Sequence, residues 1–243
     1  MSLLEARHIR KQFGGLTAVN DLSFRLEENE ILGLIGPNGA GKTTVFNCLT
    51  GFLPMDAGRV HLEDKPIAGL KPHQICRLGM ARTFQIVRPF LNISVRDNVL
   101  VGALLRQKKP AIAMHAAQEI IDFVGLGPYS YELAESLPLP LRKRLELAKA
   151  LATQPQVLLL DEVMAGLTPT EVDELIRLVD EVRRQGVGVL LIEHVMRGVM
   201  ALSDRVIVIN NGTEIAQGKP EDIVNEVCVI EAYLGKEYAG AVC

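Results

Sequence analysis

Residues 31–49 read ILGLIGPNGAGKTTVFNCL, and this stretch decides the fold class. Five apolar residues come first, and the turn that follows, residues 36–43, matches the pattern GxxxxGK[ST] in full. We predict a buried strand over residues 31–35 and a helix over residues 43–49. A strand, a glycine-rich turn and a helix in this order are the context that a phosphate-binding loop requires.

The chemistry of such a loop assigns a role to most of its residues. Glycines allow successive backbone N–H groups to point at phosphate oxygens, and the start of the helix adds partial positive charge. Lys42 would reach the β- and γ-phosphates of a nucleotide, and the Thr43 hydroxyl would coordinate Mg²⁺. The alternative is a glycine-rich turn that contains Lys-Thr by coincidence. The candidate nucleotide-binding residues of the loop are Gly36, Pro37, Asn38, Gly39, Ala40, Gly41, Lys42, Thr43 and Thr44.

Two further apolar runs, residues 157–160 and 187–192, are also followed by chemically reactive side chains. Ligands gather at the carboxyl ends of parallel strands, so these side chains are expected near the loop. Asp161 would hold Mg²⁺, and Glu162 would orient or deprotonate an attacking water. His194 would contact the γ-phosphate. Taken alone, paired carboxylates can simply cap a loop, and a histidine in this position can be structural.

The patterns along the rest of the chain predict its organisation. Residues 16–26 alternate in polarity and indicate antiparallel strands, whereas residues 91–150 are rich in helical pattern. The expected fold is α/β: a P-loop NTPase core with a mostly parallel sheet, an N-terminal antiparallel β subdomain and an inserted helical subdomain. All of residues 1–243 form one nucleotide-binding domain, with the core in residues 1–90 and 151–243 and the helical insertion in residues 91–150.

Composition and charge exclude several classes of protein. Hydrophobic residues make up 48% of the 243 residues and charged residues 23%, as in a folded globular protein. A net charge of −3 disfavours nucleic acid as a partner. Four dispersed cysteines without metal-ligand spacing fit a reducing compartment, and neither a long apolar span nor a secretion signal is present. We therefore expect a cytosolic chain.

The motifs together resemble the ATP-binding subunit of an ABC transporter over essentially the whole chain. Phe13 falls where this family has an aromatic residue that stacks on the adenine base, and Gln85 falls in the family's Q-loop. Residues 165–168 match the D-loop, and His194 matches the switch histidine. The resemblance implies ATP and Mg²⁺ as ligands, with Gln85 sensing Mg²⁺ and the attacking water.

Four segments, residues 11–21, 45–51, 82–85 and 232–235, resemble the branch that imports branched-chain amino acids and related molecules. The resemblance implies a second ATP-binding subunit, in a homodimer or heterodimer, together with transmembrane permease subunits and, indirectly, a substrate-binding protein. It implies peripheral attachment at the cytoplasmic face of the inner or plasma membrane. The apolar residues within 86–100 would border the groove that receives a permease helix, and ordinary subdomain core is the alternative.

One family motif is degenerate in this chain. Where the family has Leu-Ser-Gly-Gly-Gln, residues 137–141 read LPLPL, directly before a predicted helix over residues 141–152. The serine hydroxyl and both glycines are therefore absent, and Pro140 has no backbone N–H. Three neighbouring motif positions also depart from the family: Val163, Met164 and Val195. The chain is expected to bind ATP through its own loop while completing a poor site on its partner.

The sequence leaves two sets of alternatives open, one for the degenerate motif and one for the function. The degenerate motif fits a heteromeric transporter with one weak site, a slowly hydrolysing homodimer, or drift in a redundant copy. The expected function is ATP hydrolysis for import of branched-chain or other hydrophobic amino acids. The other functions considered are lipid or polysaccharide export and a soluble, non-transport role in DNA repair or on ribosomes.

Overall fold

A computed structural model describes residues 2–235 of the chain. Its strands are β1 (Ser2–Phe13), β2 (Leu16–Glu27), β3 (Ile31–Ile35), β4 (Ala57–Leu62), β5 (Lys65–Pro66), β6 (Met80–Arg82), β7 (Val157–Asp161), β8 (Gly188–Ile192), β9 (Arg205–Asn210) and β10 (Thr213–Gly218). Its α-helices are α1 (Lys42–Leu49), α2 (Pro72–Leu78), α3 (Val95–Ala103), α4 (Pro110–Phe123), α5 (Leu139–Leu151), α6 (Pro169–Arg184), α7 (Met196–Leu202), α8 (Pro220–Ile223) and α9 (Val227–Leu234).

The strands form two sheets of different character. The N-terminal sheet has the order β2-β1-β4-β5 and is antiparallel throughout. The second sheet has the order β10-β9-β3-β8-β7-β6, and only its edge pair, β9 and β10, is antiparallel. This architecture confirms the predicted α/β class with a mostly parallel sheet and an antiparallel N-terminal portion.

The central strands are buried on both faces, as their continuous apolar sequences predict. Every residue of β3, β7 and β8 is buried. Strand β6 was not predicted, because it has only three residues; it pairs in parallel with β7 at the edge of the sheet. Its carboxyl end therefore lies beside those of β7, β8 and β3.

Helices α3, α4 and α5 lie in the region predicted to be a helical insertion. They pack on one another through small and aliphatic side chains of a shared apolar core, which include Val99, Ala103, Ala117, Ile121, Leu145 and Ala148. The same core continues into the parallel sheet through residues such as Leu158 and Leu160. The domain boundaries at residues 91 and 150 remain a prediction.

Two helix starts differ from the prediction. Helix α1 begins at Lys42, one residue earlier than expected. Helix α5 begins at Leu139 rather than Leu141, with Pro138 as its N-cap and Pro140 in its first turn. The N–H groups of a first turn have no partner within the helix, so Pro140 starts this helix without losing a hydrogen bond. The degenerate motif thus forms the first turn of α5.

Helix α6 begins with a capping box. The Thr168 hydroxyl accepts a hydrogen bond from the Glu171 N–H at 3.4 Å, and the Glu171 carboxylate accepts one from the Thr168 N–H at 2.7 Å. Within residues 2–235, no helix is both long and apolar enough to cross a membrane. Over the same residues Cys48, Cys76 and Cys228 are free thiols, and Cys243 lies outside the described range.

Candidate functional site

A cleft of about 550 Å³ opens at the carboxyl end of β3, and its walls include most of the predicted nucleotide-binding residues. Its lining comprises Phe13, Leu16, Ala18, Asn38, Gly39, Ala40, Gly41, Lys42, Thr43, Thr44, Gln85 and Glu162. Gly36 and Pro37 lie just behind this lining and bind the Lys42 side chain. The fold therefore gathers residues from the N-terminal sheet, the glycine-rich loop and the ends of β6 and β7.

The loop keeps its shape because two of its positions accept only glycine. Gly36 has φ +152° and Gly41 has φ +107°. A Cβ atom at Gly36 would lie 2.0 Å from the Ile209 carbonyl oxygen, and one at Gly41 would lie 2.3 Å from that of Ala18. At Gly39, in contrast, a Cβ would meet nothing within 4 Å, so the tip of the loop faces open space that a ligand can enter.

Lys42 is held inside the loop by backbone oxygens. Its Nζ donates hydrogen bonds to the carbonyl oxygens of Gly36 at 2.6 Å and Pro37 at 2.9 Å. Burial lowers the pKa of Lys42, whereas the nearby Glu162 and Asp161 carboxylates act in the opposite direction. The loop thus holds a buried cation at the floor of the cleft.

Asp161, at the end of β7, is paired with Arg82, a residue of the 82–85 segment that was not predicted to belong to the site. Arg82 donates one hydrogen bond to Oδ2 of Asp161 at 2.7 Å and another to Oδ1 of Asn47 at 2.6 Å. Its guanidinium lies 5.4 Å from the ring centre of Phe46 and 5.1 Å from that of Phe84. Burial raises the pKa of Asp161, and the bond to Arg82 opposes that rise. Arg82 therefore fixes the orientation of this carboxylate.

Three of the predicted residues lie together at the Glu162 carboxylate. The Gln85 side-chain amide donates a hydrogen bond to Oε2 of Glu162 at 2.6 Å, and Nδ1 of His194 lies 3.6 Å from the same oxygen. The backbone of Glu162 has φ +50°, a left-handed conformation that is unfavourable for a side chain of this size. Strained backbone of this kind concentrates at functional sites.

Phe13 stands at the rim of the cleft with its ring partly exposed. Nζ of Lys11 lies 5.4 Å from the ring centre and is itself bound by the Asp56 carboxylate at 2.9 Å. An exposed, fixed aromatic ring can stack on a flat heterocycle. The position of Phe13 is therefore suited to the predicted contact with adenine.

The degenerate motif takes no part in this cleft. Pro138 and Leu139 are exposed at the start of α5, and Leu139 lies against Gly166 of the predicted D-loop. A second cavity, of about 450 Å³, adjoins them and is lined by Pro138, Pro140, Lys143 and Arg144 among others. The motif therefore faces outward, where another subunit can reach it.

Comparison with known families identifies the chain. A family model described as "ABC transporter" matches residues 19–165, which include the loop, Gln85, Asp161 and Glu162. The chain belongs to the ABC transporter family. A shorter model, described as "Branched-chain amino acid ATP-binding cassette transporter", matches residues 214–239 of the cassette.

Similar proteins extend the match to nearly the full length of the cassette. The branched-chain amino acid transport ATP-binding protein LivG of Escherichia coli K12 is 43% identical, over 96% of this chain and 98% of its own. BraF of Pseudomonas aeruginosa, with the same description, is 42% identical over the same shares. The lipopolysaccharide export ATP-binding protein LptB of E. coli K12 is 34% identical over 98% of this chain and 99% of its own.

Solved structures agree with this assignment. A nucleotide-free ATP-binding cassette from an ABC transporter superposes with a TM-score of 0.88 at 30% identity, covering 97% of this chain and 100% of the other. The ADP conformation of the cassette MJ1267 gives the same values. The cassette is thus a nucleotide-binding ATPase subunit of an ABC transporter.

Proposed function

We propose that the cassette hydrolyses ATP to power uptake of branched-chain or other hydrophobic amino acids. The observation that carries this proposal is the C-terminal match at residues 214–239 to a branched-chain amino acid family, together with LivG and BraF at 42–43% identity. Export of lipid or polysaccharide is the second candidate, because LptB matches the whole chain at 34% identity.

The loop and the rim would hold the nucleotide. Backbone N–H groups of residues 36–44 would surround the phosphates, Lys42 would bind the β- and γ-phosphates, and Phe13 would stack on the base. Lys42 can do so because it already carries its charge into the loop, held by two carbonyl oxygens that anionic phosphate oxygens can replace.

A magnesium ion fits the oxygen atoms that remain available at the site. Thr43 is exposed in the cleft, Arg82 binds Oδ2 of Asp161 and so leaves Oδ1, and Gln85 donates through Nε2 and so leaves Oε1. Hydroxyl, carboxylate and amide oxygens are the ligands that Mg²⁺ prefers. When bound, Mg²⁺ would be held by Thr43, Asp161 and Gln85 and would supply positive charge that neutralises the phosphates.

Glu162 would act as the general base. It would take a proton from the attacking water as that oxygen bonds to the γ-phosphorus and the bond to the bridging oxygen breaks, releasing ADP and phosphate. Gln85 orients the Glu162 carboxylate through its 2.6 Å hydrogen bond. His194, beside the same carboxylate, would contact the γ-phosphate.

The proposed partners are a second ATP-binding subunit, transmembrane permease subunits and, through them, a substrate-binding protein, at the cytoplasmic face of the membrane. Three apolar side chains after Gln85 support a permease contact: Ile86, Phe90 and Leu91 are 66%, 53% and 45% exposed. Exposure of this extent excludes these three from the subdomain core, whereas Val95 and Val99, further along, belong to it.

Purification of the tagged cassette from detergent-solubilised membranes tests the proposed transport role. We expect permease subunits to co-purify, and the reconstituted complex to take up leucine, isoleucine or valine in an ATP-dependent manner. A complex whose ATPase responds to lipopolysaccharide and not to these amino acids would instead support the export function.

The degenerate motif predicts a slow homodimer. Among residues 138–141, only Leu139 and Leu141 have backbone N–H groups, so two of four donors at the start of α5 are missing along with the serine hydroxyl. Loss of one preorganised donor commonly lowers kcat about 100-fold or more. Rewriting residues 138–140 as Ser-Gly-Gly should therefore raise the steady-state ATPase rate of the purified homodimer about tenfold or more.

The control measurement for this rewriting is the integrity of α5. Circular dichroism and thermal unfolding should show that the helix still starts in place, since Ser is a good N-cap residue. An unaltered chain that already turns over at about 1–100 s⁻¹, as ordinary enzymes do, would show that the degenerate motif has no effect on hydrolysis. The expectation that the degenerate motif completes a poor site on the partner would then be wrong.

A further inference from the structure

Two buried charged residues lie behind the candidate site and have no part in the mechanism described so far. Lys143, one turn into α5, is 6% exposed, and Glu193, between β8 and His194, is 1% exposed. Burying a charge costs free energy unless an opposite charge or hydrogen bonds compensate it. Each of these side chains must therefore be compensated locally.

Lys143 is compensated by the turn that carries the proposed base. Its Nζ donates a hydrogen bond to the backbone carbonyl oxygen of Glu162 at 3.1 Å. Burial lowers the pKa of Lys143, and Glu193 and Glu162 are the charges that act against this shift. Lys143 thus links α5 to Glu162 at the position where the backbone is left-handed.

Glu193 ties the same turn to the loop that carries His194. Its Oε1 accepts a hydrogen bond from the Met164 N–H at 2.7 Å, and Glu193 directly precedes His194 in the chain. Its Oε2 is buried and has no hydrogen-bond partner within residues 2–235. Glu193 is the carboxylate that raises the pKa of Lys143 most, so the two buried charges act on each other through space.

We propose that Lys143 and Glu193 form a buried positioning pair that holds Glu162 and His194 in their working geometry. Lys143 acts on the backbone of Glu162, and Glu193 acts on the Met164 N–H, two residues further along the same turn, and directly precedes His194. Neither residue touches the reacting atoms. This inference rests on the roles proposed above for Glu162 and His194.

A set of variants in the detergent-purified transporter complex tests the pair: Lys143→Met, Glu193→Gln, the double variant and Lys143→Arg. Three quantities are measured for each variant: kcat, the Kd for ATP and the Tm. Each single neutral variant should lower Tm, because it leaves the other charge unpaired. It should also lower kcat about 10- to 100-fold, as small misplacements of catalytic groups do, with a Kd for ATP within about threefold.

The double variant and the conservative variant separate positioning from simple stabilisation. Lys143→Met/Glu193→Gln has no unpaired charge, so its Tm should recover while its kcat stays low. Lys143→Arg keeps the charge and a donor and should retain most of kcat. Arg205→Met is the matched control, because it breaks a partly buried pair with Glu30 (2.9 Å) far from the cleft; it should lower Tm and leave kcat unchanged.

Two results would overturn the positioning pair: a kcat that recovers together with Tm in the double variant, or an unchanged kcat in both single variants. Failure of the proposed function would look different. If Glu162→Gln kept normal turnover in the same complex, the base itself would be misassigned, whatever the Lys143 and Glu193 variants showed.

Discussion

Replacing Glu162 with glutamine should leave ATP bound but reduce its hydrolysis about 100-fold or more, the contribution expected of a positioned general base. The substitution keeps the size of the side chain, and the new amide oxygen can still accept the hydrogen bond that Gln85 donates at 2.6 Å. Only the ability to take a proton is lost. Single-turnover hydrolysis at the site of this cassette, followed with labelled ATP in the assembled complex, measures the effect separately from the partner's site.

Glu181→Gln is the matched control, because Glu181 is an exposed carboxylate in the last turn of α6 and does not line the cleft. It should hydrolyse ATP at the unaltered rate. A Glu162→Gln cassette that loses less than threefold in single turnover would show that another group accepts the proton, and Glu162 would then have no role as the base.

Lys42→Ala should weaken ATP binding about tenfold or more, because charge-assisted hydrogen bonds contribute about 1.5–3 kcal/mol each and 1.4 kcal/mol corresponds to a factor of ten. The loss should be larger for ATP than for AMP, since Lys42 is expected to contact the β- and γ-phosphates. A fluorescent ATP analogue titrated into the purified cassette gives both the direct Kd and, by displacement, the Kd of AMP.

The loop carbonyls of Gly36 and Pro37 lose their donor in this variant, so Tm is measured in parallel to show that the cassette remains folded. Lys65→Ala, which removes an exposed lysine from the edge strand β5, should bind ATP like the unaltered chain. Equal affinities for ATP in Lys42→Ala and Lys65→Ala would contradict the assignment of the loop as the nucleotide site.

The parts of the site that the sequence predicts are those set by local pattern. Residues 36–43 are contiguous, and their glycines, lysine and threonine leave little freedom in how the loop folds. Asp161 and Glu162 follow a continuously apolar strand, and such strands lie together with their carboxyl ends at one edge. Local pattern therefore predicts both which residues are reactive and the side of the sheet on which they meet.

The parts that sequence reasoning missed depend on contacts between distant segments. Arg82 binds Asp161 across 79 residues, and this contact exists only because β6 pairs with β7 at the sheet edge. Lys143 reaches the Glu162 carbonyl because α5 packs beside the end of β7, which no periodicity in α5 predicts. For Arg82 the sequence does offer one signal: it is a charged residue in a short, mostly apolar run before Gln85.

The start of α5 was misplaced for a different reason. The helix was predicted from Leu141, with both prolines of residues 138–140 outside it. Proline is unfavourable in a helix interior, where its ring clashes with the preceding turn and a backbone N–H is required. In a first turn that requirement is absent, so the prolines fit the helix there. What they remove is the set of donors that a ligand could use, which affects function and leaves the fold intact.

The left-handed backbone at Glu162 determines which residues are favoured at this position when only folding matters. Glycine adopts φ +50° at no cost, and a non-glycine residue there costs about 1 kcal/mol. Folding alone therefore favours replacing the glutamate, and the proposed role of Glu162 as the base would offset this cost. Among descendants of this cassette, lineages that stop hydrolysing ATP should drift to glycine or asparagine here before the loop decays.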